Sequence, residues 1–315
     1  MSTIPLEDAL EEIKRIAFSA LHENPEINGV PVDTPAGEQF PGCSVKRLPT
    51  RLQQQAAEVS TRINPANAPL REFVAVGDLA PDSPLALTLT TAKYWGPAPR
   101  VLSVSFTEST PADLRARIVS HLNAWSLWTS ISFAETAGSG DVRISRDGGG
   151  HWSYLGTDIT LIPRNRPTMS LQSFTMTTPE SEFRRVVRHE AGHTLGFPHE
   201  HMRRELVQRI DPAKAYPYFL ATQGWSTAMV DQQVLTPLDD ATIYGTTPDQ
   251  DSIMCYQLPG AITYDGQPIR GGTDINAVDY AMAAVIYPKP LFPPHGGSVE
   301  ITADWDPADD VSLPA

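Results

Sequence analysis

Between His189 and His199 the chain reads HEAGHTLGFPH, and this stretch sets a condition that the fold has to meet. His189 and His193 are four residues apart, so on a helix their imidazoles project side by side from one face. Gly196 then allows the sharp exit that ends a helix, and Pro198 prevents the helix from continuing. The chain must turn at that glycine, and His199 follows three residues later as a third nitrogen donor. Only eight histidines occur in 315 residues, and His189, His193, His199 and His201 fall inside thirteen consecutive positions. A surface helix with scattered polar residues, the competing reading, does not require the glycine and the third histidine.

Three imidazoles with this spacing suit a tetrahedral Zn²⁺, whose bonds to histidine nitrogen are about 2.0–2.1 Å. Three protein ligands leave the fourth position open, which is the arrangement of a catalytic rather than a structural zinc. Glu190 sits beside the first ligand. From there it can face a metal-bound water without occupying a coordination position, as a general base must.

Composition narrows the partners. A formal charge of −13, with 41% hydrophobic and 19% charged residues, describes an ordinary globular protein and argues against a nucleic-acid backbone as partner. Two cysteines, Cys43 and Cys255, allow at most one bridge. The first thirty residues carry acidic side chains from Glu7 and no unbroken apolar core of a leader, and no run approaches the roughly 20 apolar residues of a membrane span. A cytoplasmic protein is the default expectation, with leaderless export left open.

The pattern divides the chain into three parts: an N-terminal extension at 1–92, a main domain at 93–289 and an irregular acidic, proline-rich tail at 290–315. In the extension, Thr3 to Leu21 and a segment after Thr50 (Leu52, Ala56, Val59 and Ile63 on one face, ended by Pro65) read as helices. In the main domain RVLSVSFTE (100–108) alternates like a strand. Residues 110–128 read as a helix with Thr110 and Asp113 at its start, and ISFAE (131–135) and DVRIS (141–145) as short strands. Residues 179–197 form a helix that runs into the histidine cluster.

The extended motif HExxHxxGxxH resembles that of the metzincin zinc peptidases, and the likeness continues along the chain. DSIMCYQ (251–257) is similar to their methionine turn, with Met254 beneath the metal. Tyr256 resembles the tyrosine that astacins and serralysins place near it. GFPHEH is similar to the astacin continuation GFxHE, HWSYLG (151–156) to the astacin WSYxG strand, and GGTDINAVDYAMAAVIYP (271–288) to the closing helix and terminal tyrosine. The resemblance spans residues 94–288 and departs at Cys255, where astacins usually carry histidine, and in lacking their disulfide cysteines. It implies an α+β fold: a twisted mixed sheet with two long helices above a mostly irregular C-terminal subdomain, preceded by a helical extension.

It also implies roles. His189, His193 and His199 would hold one catalytic Zn²⁺ that acidifies a water, with Glu190 as general base and acid. Tyr256 would donate to the developing oxyanion. Trp152, Ser153 and Tyr154 would form an edge strand that pairs with an extended polypeptide substrate. FPGC (40–43) resembles the astacin pro-segment FxGD with Cys43 in place of the aspartate, so Cys43 is a candidate latch on the zinc, as a thiolate is a strong zinc ligand. Two other readings of Cys43 stand beside it, a bridge to Cys255 and a free thiol. His22, His121 and His295, and Arg184, Arg185 and Arg188, read as ordinary residues, the arginines on a solvated helix face. The expected function is a zinc metalloendopeptidase; the alternative is a zinc-containing protein-binding module without turnover.

Overall fold

The computed structural model describes residues 43–68, 92–238 and 248–290. The helix expected at 3–21 and all of the tail beyond residue 290 lie outside these residues. A six-stranded mixed sheet forms the upper layer, in the order β1-β5-β6-β4-β2-β3. Its strands are β1 (Cys43–Lys46), β2 (Arg100–Phe106), β3 (Ile131–Glu135), β4 (Val142–Ser145), β5 (His151–Tyr154) and β6 (Met169–Leu171).

Strand β2 follows from its alternation: Leu102 and Val104 are buried, while Val101 on the other face is exposed. It pairs in parallel with β3 and with β4, and β4 with β6. A parallel pair needs a crossover, which helix α2 (Ala112–Leu122) supplies between β2 and β3. Its residues Leu114, Ile118 and Leu122 repeat at helical spacing and are buried in the main core. The expected cap at its start does not form. Pro111 takes the N-cap position, the Thr110 hydroxyl donates to the Glu108 carbonyl, and the Asp113 carboxylate accepts from the Leu114 N–H.

Both described pieces of the N-terminal region pack on this domain. Helix α1 (Gln53–Ile63) forms where the spacing placed it and ends before Pro65 at Asn64. Ala56 and Leu52 sit against Leu48, Leu161, Ile162 and Tyr154. Strand β1 joins the sheet directly, parallel to β5.

Below the sheet run Glu180–Glu182, a single π turn at Phe183–Val187, and helix α3 (Arg188–Leu195), continuous as expected for 179–197. A second, smaller core lies in the mostly irregular C-terminal subdomain, where helix α4 (Pro212–Gln223), the short helical turns carrying Val230 and Val234, and the loops carrying Cys255, Leu258 and Ile269 meet. Helix α5 (Ala277–Ile286) closes the domain through a capping box between Asn276 and Asp279. The Asp279 carboxylate does more than cap. It also accepts from the Ile253 N–H and the Ser252 hydroxyl, tying α5 to the turn that carries Met254. Burial pushes the Asp279 carboxyl up to about 7. Cys43 and Cys255 are both buried free thiols, so the bridge between them does not exist.

One ion pair is enclosed by this packing. Lys93 Nζ lies 3.0 Å from Asp158 Oδ1, with both side chains about nine-tenths buried. Burial pushes the Asp158 carboxyl up, and the Lys93 ammonium opposes that shift. Removing one charge leaves the other without compensation in a poorly solvated place. Lys93→Met is expected to destabilise the protein by about 3–5 kcal/mol, read from urea unfolding, and adding Asp158→Asn to recover most of that loss.

Candidate active site

The end of α3 decides where the histidines go. The last four carbonyls of a helix have no partner within it, and here each finds one. Gly196 adopts φ +101°, and its N–H donates to the His193 carbonyl at 2.9 Å while the Phe197 N–H donates to Gly192 at 3.0 Å. The indole of Trp95 donates to the Thr194 carbonyl at 2.8 Å, and the Tyr287 hydroxyl donates to Leu195. At the other end the Trp125 indole donates to the Arg188 carbonyl at 2.8 Å. The helix is therefore held by three aromatic side chains, Trp95, Trp125 and the terminal Tyr287.

The turn at Gly196 brings His199 back over α3. One ring nitrogen from each of His189, His193 and His199 lies within 4.8 Å of the others, and all three side chains are buried. Second partners set the tautomers. His189 Nδ1 lies 2.6 Å from the Ile253 carbonyl and His193 Nδ1 2.7 Å from the Phe197 carbonyl. Because a carbonyl only accepts, each Nδ1 carries the hydrogen, and each Nε2 keeps its lone pair for a metal. Nε2 of His193 and Nε2 of His199 point at one another, 3.0 Å apart.

Among the described residues, the buried side-chain atoms without a hydrogen-bond partner include His189 Nε2, both Glu190 carboxylate oxygens and the Tyr256 hydroxyl. Buried polar atoms of native proteins are rarely left so. An orphaned imidazole lone pair, carboxylate and hydroxyl converging on one spot fit a cation with three nitrogen ligands. Burial lowers His189 to about 4 and raises Glu190 to about 8, the latter offset in part by Cys43 and Arg185. The histidines are thus neutral, as metal ligands must be, and Glu190 is a strong proton acceptor for a carboxylate.

Met254 lies directly under α3. A Cβ added to Gly192 would stand 2.4 Å from the Met254 sulfur and 3.2 Å from the Trp125 ring, so only glycine lets this methionine approach between the two helical histidines. The Glu200 N–H donates to the Met254 carbonyl at 2.8 Å, joining the segment after His199 to the same turn. Tyr256 follows, its ring against His199 at 4.5 Å and stacked on His201 at 4.6 Å. Burial pushes its hydroxyl well up, helped by Cys43 and Glu190.

Trp152, Ser153 and Tyr154 lie in β5, which in this chain is not a free edge. β1 runs along it in parallel, pairing Cys43 with His151, Ser44 with Trp152, Val45 with Ser153 and Lys46 with Tyr154. The β1 register delivers Cys43 to the histidines: its sulfur, a ring nitrogen of His189 and a Glu190 oxygen lie within 4.8 Å of one another. The ligand histidines, Glu190, Met254, Tyr256 and Cys43 are thus gathered around one point, with β5 alongside.

The arginine reading is corrected. Arg184 is half-exposed, but Arg185 and Arg188 are largely buried and paired, with Glu182 at 2.8 Å and Asp274 at 2.6 Å. Arg185 lies four residues before His189, on the same helical face, and that spacing was the available signal. The sequence analysis also left His201 without a role. It is fully buried beside Tyr256, and burial pushes it down to about 3.

Sheet, active helix, glycine turn and methionine floor together define a metzincin-type zinc peptidase. Residues 88–265, more than half of the chain, match the family model for Astacin, a family of peptidases. The solved structure of myroilysin superposes with a TM-score of 0.59 at 30% identity, covering 63% of this chain and 97% of that one. Zinc metalloproteinase nas-27 of Caenorhabditis elegans is 31% identical over 106 residues, 34% of this chain, and the match spans only 23% of that relative's length. The chain belongs to the astacin family of peptidases.

This membership corrects the cytoplasmic default. Astacin relatives such as nas-27 are secreted extracellular proteases, which overturns that expectation. No helix among the described residues is long and apolar enough to cross a membrane.

The contact under Gly192 can be tested. Gly192→Ala should force Met254 aside, destabilise the protein by about 1–3 kcal/mol and make zinc easier to remove with a competing chelator. Unchanged unfolding and unchanged metal retention would show that Met254 is not held by this contact.

Proposed function

We propose that this chain is a latent zinc endopeptidase in which strand β1 (Cys43–Lys46), part of the N-terminal extension, occupies the substrate position until it is displaced. The observation that carries the reading is the convergence of His189, His193 and His199 with Glu190 in one buried place that also receives Cys43.

His189, His193 and His199 would hold the zinc. When bound, zinc supplies a Lewis acid for the scissile carbonyl and for the attacking water. Glu190, next to the first ligand but not part of the histidine set, removes a proton from that water. It then returns the proton to the departing amine nitrogen. The Tyr256 hydroxyl, buried and without a protein partner, is free to donate to the oxygen that gains charge as the carbonyl is attacked. Met254 and the carbonyls of Ile253 and Phe197 keep the imidazoles oriented, so that no rearrangement is needed during the reaction.

Strand β5 positions the polypeptide. With β1 removed, the main-chain groups that now bond to it are open to an extended substrate, and strand addition supplies orientation independent of side-chain identity. Cys43 is the latch. In place of a peptide carbonyl, β1 presents a thiol to His189 and Glu190, a group that can ligate zinc but offers nothing to hydrolyse. Burial and the Glu190 charge push that thiol well up; a cation at the histidines would act in the opposite sense and favour the thiolate. The tie is intramolecular, so even a modest contact competes with substrate at an effective concentration on the order of millimolar.

Two measurements test this. Glu190→Gln should keep its zinc by elemental analysis yet lose roughly 10²–10⁴-fold in casein cleavage, and chelation should abolish cleavage by the unaltered protein. Cys43→Ala in the full-length chain should raise casein cleavage well above that of the unaltered chain at equal zinc content. Equal activity of the two would sink the latch while leaving the peptidase intact.

A further inference from the structure

The second flank of β1 has a feature that the reaction scheme does not use. In an extended strand the N–H and C=O of one residue point to the same edge, and successive residues alternate edges. Ser44 and Lys46 direct theirs toward β5, and Val45 directs its pair away from it. The side chain of Gln233 meets that pair. The Val45 N–H donates to Gln233 Oε1 at 3.1 Å, and Gln233 Nε2 donates to the Val45 carbonyl at 3.1 Å. One carboxamide thus replaces the missing neighbouring strand.

Gln233 is built to stay in this place. It is buried, with only 3% of its surface exposed, on the π-helical turn Asp231–Leu235 of the C-terminal subdomain. Its carbonyl lies 2.9 Å from His201 Nε2, and the Tyr256 N–H points at His201 Nδ1 at 3.4 Å. A main-chain N–H can only donate and a carbonyl only accept, so the buried neutral His201 is fixed with its hydrogen on Nε2. His201 therefore braces the turn of Gln233 against Tyr256. This accounts for the fourth histidine of the cluster, which takes no part in the histidine group that could hold a metal.

We infer that Gln233 is a substrate-binding residue, a main-chain clamp that forms the wall of the cleft opposite β5 and grips one residue of an extended polypeptide by both its N–H and its carbonyl. The inference rests on the reading above that substrate takes the place of β1 along β5. The clamp reads no side chain, because both of its bonds go to backbone. It is also indifferent to chain direction. Rotation of the carboxamide by half a turn exchanges its donor and acceptor, so a strand entering antiparallel to β5 meets the same pair of bonds as β1, which runs parallel. A substrate residue with a methylated nitrogen, or proline, loses one of the two bonds.

The test is a coupling between Gln233 and a substrate amide. The full-length chain carrying Cys43→Ala, and the same chain with Gln233→Leu added, are assayed on one fluorogenic peptide and on copies of it N-methylated at one amide at a time. Competition by β1 lowers kcat/KM for every peptide equally, so it cancels in the ratio of methylated to unmethylated peptide within each protein. One methylation, two residues or fewer from the scissile bond, is expected to cost the Gln233 protein about tenfold more in kcat/KM than the Gln233→Leu protein, the size of one hydrogen bond in a buried site, with the difference in KM. Methylations that break bonds to β5 cost both proteins alike.

If no position shows a penalty that depends on Gln233 while both proteins cleave, the clamp is wrong and the peptidase reading stands. If the Gln233 protein binds zinc but cleaves no peptide at all, the reading on which the clamp rests is overturned as well. Should Gln233→Leu fail to fold, Gln233→Asn withdraws the carboxamide by one methylene and predicts the same loss of coupling.

Discussion

The stop of helix α3 at Gly196 is the constraint on which the rest of the site depends. A helix that ends in the interior must place four carbonyls, and an unsatisfied buried carbonyl costs about 1–3 kcal/mol. The left-handed glycine disposes of two through the backbone, and Trp95 and Tyr287 take the other two. The same conformation reverses the chain and presents His199 to His189 and His193. Helix termination and metal-site assembly are therefore one event, and residues nearly a hundred positions away on either side are needed to complete it.

Around that point the structure spends its buried polar groups on holding loops rather than on stability alone. Asp279 reaches from the start of α5 to the Ser252 hydroxyl and the backbone of Ile253, whose carbonyl in turn orients His189. His201 joins the turn of Tyr256 to that of Gln233. The C-terminal subdomain has little regular structure to keep its loops in place, and these side-chain-to-backbone bonds do the work that ladders do in the sheet.

In the proposed function, strand β1 is an inhibitor that the chain carries itself. The segment has the extended form of a substrate and satisfies both flanks of the cleft, β5 on one side and Gln233 on the other, but brings a thiol rather than a carbonyl to Glu190. The Lys46 ammonium over the Trp152 ring, 5.1 Å from its centre, and Arg47 on the Gln232 carbonyl add contacts at the far end. Their exposure makes them weak one by one, as the proposed displacement of β1 requires.

The sequence by itself determined which side chains would meet at the candidate site: His189, His193, His199, Glu190 and Met254. HEAGHTLGFPH and DSIMCYQ name side chains whose spacing has one geometric solution, because helical periodicity and a glycine stop act over a few residues. Alternation in β2 and the apolar face of α1 were legible for the same local reason. The tertiary structure decided what those patterns could not carry. That Arg185 is enclosed, that Trp95 and Tyr287 finish α3, and that Gln233 faces Val45 across 188 positions of chain depend on contacts between segments whose own sequences contain no trace of their partner. A buried carboxamide looks like any other glutamine until the fold shows which backbone it must satisfy.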